Sequence, residues 1–158
     1  MESIIYLDEL SQKEETLLDK ILSVSNIMSN FIIGISAYLD LKIMFRFLKM
    51  LANSFDKCDF TSVPKKNLKE IHDKLELLLL KSEKIQENLI EIIKAYPQPL
   101  LKISLRDLKK FNNILLDILD EVKIALNQKF FTAMEKVVEG IEKVDFDISR
   151  VKKVESFL

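Results

Sequence analysis

The residues that could carry chemistry are few. Cys58 and His72 are the only cysteine and the only histidine in 158 residues. A cysteine and a histidine can act together as nucleophile and base. Here, however, Cys58 stands beside Asp56 and Asp59, and negative neighbours disfavour the thiolate that such a pair needs. One cysteine permits neither an intrachain disulfide nor a zinc site built on several thiolates. A di-iron bundle needs an inward-facing Glu-x-x-His on each of two helices; the residue three before His72 is Lys69, and no second histidine exists. Asp117, Asp120 and Glu121 fall at i, i+3 and i+4, so on a helix they share one side and could hold a divalent cation weakly. That side lies opposite the Leu115, Leu119, Val122 line, facing solvent, with Lys110 and Lys123 near by. The two glycines, Gly34 and Gly140, cannot form the glycine-rich loop that cradles phosphates. The expectation is a non-enzymatic protein with no catalytic residue, no metal and no cofactor.

The elements that would position these residues are helices. Apolar residues are 48% of the chain, while Gly occurs 2 times and Pro 3 times, well below the usual shares of about 7% and 5%. A capping box at Ser11 and Glu14 predicts a helix start near Gln12, with residues 1–10 as an arm docked through Ile4, Ile5 and Leu7. The apolar line Leu17, Ile21, Val24, Met28, Phe31, Ile35, Tyr38 then alternates steps of four and three, the period of a one-sided helix. A single helix from Gln12 to Asp56 would reach about 68 Å, too long for one small domain, so a kink or break is expected near Gly34. Pro64 marks the next start. The line Leu68, Ile71, Leu75, Leu78, Ser82, Ile85, Leu89, Ile92, Tyr96 follows, an unbroken heptad pattern with one polar member. Pro97 and Pro99 end it. Ser104 and Asp107 suggest the third start, and the line from Leu105 to Val144 changes step at Asn127 and Gln128, as a stutter does.

The helical stretches are therefore 12–56, 65–95 and 104–144, joined by short links that make successive helices antiparallel. The predicted fold is all-α: a single domain over 1–158, an up-and-down antiparallel bundle of three long stretches, four helices if the first breaks, with 145–158 as a fraying tail.

Function has to come from surfaces. Ser82 and Asn112 are polar groups on otherwise apolar seams. They either bond each other, a water or a carbonyl, or they set register and oligomer state. Leu77, Leu80 and Ile93 widen the apolar face of the second stretch, and Phe130, Phe131 and Met134 do so in the third. These six are the candidate contacts for a protein partner or a second copy of the chain, in an adaptor, an inhibitor or immunity-type protein, or a self-assembling component. With 24 basic and 25 acidic residues and no strongly basic segment, nucleic acid is not favoured as a partner. Residues 21–39 carry no charge and approach the length of a membrane span, which leaves a membrane-active bundle as the alternative; Asn26 and Asn30 within that run speak against it. The N-terminus shows no basic region followed by a long apolar run, and the expected location is the cytoplasm.

Overall fold

The computed structural model describes residues 2–57, 63–127 and Ile141. Among these residues the chain forms four helices and no strand: α1 (Glu2–Leu22), α2 (Ile27–Asp56), α3 (Lys65–Ala95) and α4 (Pro99–Leu126). The all-α bundle expected from the apolar periodicity is what the chain adopts.

The boundaries differ from the sequence reading in four places, three of them for a local reason that the structure shows. First, α1 begins at Glu2, so residues 2–10 are helix, with Leu7 and Leu10 in the core. Ser11 and Glu14 are interior helix positions, and the i, i+3 spacing that resembles a cap there serves contacts with α3. Second, the break falls at residues 23–26, and α2 runs unbroken through Gly34. Ser23 folds its hydroxyl back onto the Lys20 carbonyl at 2.6 Å, and Asn26 caps α2 by accepting the Ser29 N–H at 2.8 Å. Short polar side chains compete for backbone groups in this way and favour helix ends. Third, α4 starts at Pro99, with Gln98 as N-cap accepting the Leu101 N–H at 2.8 Å. Proline suits the first helical position because its missing N–H would have had no partner there. Ser104 and Asp107 are instead buried inside the helix. At its other end α4 stops at Leu126 with Asn127 as C-cap, where a stutter was expected. The remainder of the 104–144 stretch and the 145–158 tail lie outside the described residues, apart from Ile141, which is buried in the core.

The helices pack as a square, α1 against α2 and α3, and α4 against α2 and α3. Hence α2 and α3, successive in the chain, face each other across a diagonal. Directions follow from paired residues. Asp8 meets Lys74 and, two turns later on both helices, Glu15 meets Lys81, so α1 and α3 run parallel. Gly34 lies against Gln98 and, about three turns on, Phe45 packs on Phe111, so α2 and α4 also run parallel. The bundle is thus two helical hairpins side by side. Its centre holds Leu41, Leu48, Leu75, Leu108 and Leu115, all fully buried, each contributing roughly 1.5–3 kcal/mol by leaving water. The Phe45 and Phe111 rings meet edge to face at 5.3 Å, a favoured aromatic geometry.

Candidate functional site: a buried polar layer and an apolar outer face

Midway along the core the apolar packing is interrupted. Ser82 of α3 donates its hydroxyl to Asn112 Oδ1 of α4, and Asn112 Nδ2 donates to Gln86 Oε1 of α3 at 2.9 Å. Ser82 is fully buried and Asn112 nearly so. The two seam polars thus bond each other, and they tie α3 to α4 at one level.

A third member of this layer was not anticipated. Glu14 of α1 is fully buried, with its carboxyl beside the Ser82 hydroxyl and within the field of Lys81. The Ser82 proton goes to Asn112, and neither carboxyl oxygen of Glu14 receives a hydrogen bond. Burial pushes the Glu14 carboxyl up to about 9, and Ser82 and the Lys81 charge only partly oppose this. Burial therefore favours the neutral form of this acid. The signal for it in the sequence was position: Glu14 lies between Leu10 and Leu17, on the apolar line of α1. Ser82, Asn112 and Glu14 are buried, and Gln86 at the edge of the layer is half-buried.

His72 is flanked by carboxylates, Asp73 Oδ1 at 3.1 Å from Nδ1 and Glu76 Oε1 at 3.4 Å from Nε2. Their potential ligand atoms lie within 4.8 Å of one another, but each acid meets a different ring nitrogen, as side chains along one helix surface do. Cys58 lies outside the described residues. Asp117 and Asp120 are exposed, whereas Glu121 is half-buried; burial, then the charges of Asp120 and Asp117, raise its carboxyl above the usual range.

Compared with known protein families, characterised proteins and solved structures, the chain matches none.

The exposed apolar side chains distribute unevenly. Of the six candidate contacts, Leu77 and Leu80 are exposed, at 51% and 63%, but Asp73, Lys74, Glu76, Lys81 and Lys84 surround them along α3. Ile93 packs against the core. Phe130, Phe131 and Met134 lie outside the described residues. Among the described residues, the larger exposed apolar surface is on α2. Met28, Ile32 and Leu39 are 64%, 58% and 38% exposed, with half-buried Ile35 between them. The same line continues through Ile43 and Arg46 to Met50, a length of about 33 Å at 1.5 Å per residue. Leu22 and Ile27, at the α1–α2 turn, extend it over the end of the bundle. Its opposite side, including Ala37, Leu41, Leu48 and Ala52, is core. A helix apolar all round is normally enclosed on all sides, and the signal was present in the long uncharged run up to Asp40. No described helix is long and apolar enough to cross a membrane.

Proposed function

We propose that this is a non-enzymatic, cytoplasmic protein that works by binding another protein through the outer face of α2. The observation that carries this reading is the line of exposed Met28, Ile32 and Leu39, with half-buried Ile35 between them. Scattered exposed apolar residues are ordinary on any surface, whereas a contiguous set marks a place where something docks. The methionines at both ends of the line, Met28 and Met50, are side chains that adapt readily to a partner's shape. The Ser82–Asn112–Glu14 layer supports the reading in a second way. Ser82, Asn112 and Glu14 are buried, so these chemistry-bearing side chains face one another inside the core.

The test is a photo-crosslinking amino acid placed at position 32 of the full chain in cells. A discrete adduct formed from position 32, and not from exposed Asp117, supports the reading; equal, diffuse labelling from both positions overturns it.

A second reading is a membrane-active bundle, favoured by the clustering of exposed Leu22, Ile27 and Met28 at one end of the bundle. Flotation with phosphatidylcholine–phosphatidylserine vesicles distinguishes it: protein that remains with the soluble fraction at every lipid charge removes it.

A further inference from the structure

The α2 face has a charge as well as an apolar line. Lys42 stands seven residues beyond Ile35, and Arg46 seven beyond Leu39, so both lie on the same side of α2 as the residues they follow. On α4, Ile103 packs against the cluster of Tyr38 and Leu100, as does Ile35 of α2. Arg106 and Lys110, three and seven residues further on, occupy that same flank of α4. Because α2 and α4 run parallel, with Gly34 at Gln98 and Phe45 at Phe111, these four cations stand at one level beside the apolar line. Across residues 27–50 and 99–113 the acids are Asp40 and Asp107. Asp40 is taken by Lys20 of α1 at 2.8 Å, and Asp107 is buried beneath Arg106.

Resting on the reading of α2 as an interaction surface, we propose that its occupant is an acidic amphipathic helix of a partner protein, laid along the α2–α4 flank with its apolar side chains on Met28, Ile32 and Leu39 and its carboxylates on Lys42, Arg46 and Lys110. The length and straightness of the line fit a helix read at i, i+4 and i+7. A second copy of the chain fits less well. A two-fold α2-on-α2 contact would bring Lys42 and Arg46 of both copies into one interface, and like charges there cost affinity. A lipid surface fits less well too, because Arg46 falls within the apolar line, between Leu39 and Met50, where acyl chains would have to lie.

The experiment is selection of a displayed library of randomised amphipathic helices on the full chain, repeated with Ile32→Asp and with Lys42→Glu/Arg46→Glu. All of these positions are on the outer side of α2, and circular dichroism checks that each variant folds. The expected result is enrichment of helices combining apolar residues at i, i+4 and i+7 with Asp and Glu. Ile32→Asp should weaken their binding by about tenfold or more, as for loss of a central interface anchor. The double charge reversal should turn the enrichment toward Lys and Arg while keeping the apolar spacing. Binders that need Ile32 yet show no charge preference, or keep an acidic preference after the reversal, overturn the acidic partner while leaving α2 as the surface. Binders indifferent to Ile32→Asp overturn the surface itself. A dimer in sedimentation that Ile32→Asp dissolves, or flotation with anionic vesicles that Ile32→Asp abolishes, assigns the face to a second copy or to lipid and likewise overturns the proposal.

Discussion

The carboxamide of Gln98 lies directly over Gly34, so that a methyl group on Gly34 would stand 2.6 Å from Gln98 Nε2. Gln98 is not free to swing aside, because its Oε1 caps α4 through the Leu101 N–H. One contact therefore couples the close approach of two parallel helices to the start of one of them. Gly34→Ala should lower stability by about 1–2 kcal/mol, the scale of a lost helix cap, even though alanine is the better helix former. Chemical denaturation of the variant checks this; a gain in stability would mean that the cap does not depend on the approach. Gln98→Ala made together with Gly34→Ala should cost little more than either alone.

Glu14 sets a pH dependence of definite sign. Its carboxyl sits at about 9 in the fold against an ordinary value of 4.5, so the folded chain holds the proton more tightly than the unfolded chain. The neutral acid is fully accommodated below about pH 4.5. Stability then falls as pH rises toward 9, by about 1.4 kcal/mol per unit for one proton. Glu14→Gln should remove this slope and be more stable than the parent at pH 7 by roughly 2–4 kcal/mol. The difference between the urea midpoints of the two proteins, followed from pH 5 to pH 9, isolates Glu14 from the other carboxylates. Parallel curves would show that Glu14 ionises without cost.

Ser82 and Asn112 should behave as a unit. Ser82→Ala leaves Asn112 Oδ1 buried without its donor, a loss of about 1–3 kcal/mol. Ser82→Ala combined with Asn112→Leu removes both polar groups and should recover most of that loss. If the pair also sets register, the apolar double variant will sediment as a mixture of assemblies while the parent gives one species. A double-mutant cycle read by denaturation and sedimentation separates the two roles.

Core and outer face should respond in opposite ways. Phe111→Ala removes a fully buried ring packed on Phe45 and should cost about 3–5 kcal/mol. Ile32→Asp, on the exposed line, should change stability by no more than about 0.5 kcal/mol while reducing the binding of a hydrophobic dye. Thermal melts and dye fluorescence on the same samples decide; a large loss of stability in Ile32→Asp would place that side chain in the packing.

Much of the bundle was legible in the chain because burying a line of Leu and Ile at steps of three and four admits few arrangements. The line from Leu68 to Leu89 became α3, and the Ser82–Asn112 contact was one of the alternatives it offered. Helix ends were less legible, because capping signals are local and ambiguous. Ser11 and Glu14 have the spacing of a cap, but the same spacing places both on one side of a continuing helix. Asn26 is the cap that operates, and Gly34, which suggested a break, is a point of close approach instead.

The sequence by itself determined that the chain is helical, that its helices are long, and that most apolar side chains must meet in one interior. Each of those properties depends on neighbours within a turn or two. Which helix keeps an apolar outer side, where Glu14 loses its contact with water, and that Lys42 and Arg46 of α2 share a level with Arg106 and Lys110 of α4 were decided only by tertiary structure. Burial and charge density are properties of neighbours in space, and the diagonal link between α2 and α3 brings together residues that the chain keeps more than sixty positions apart.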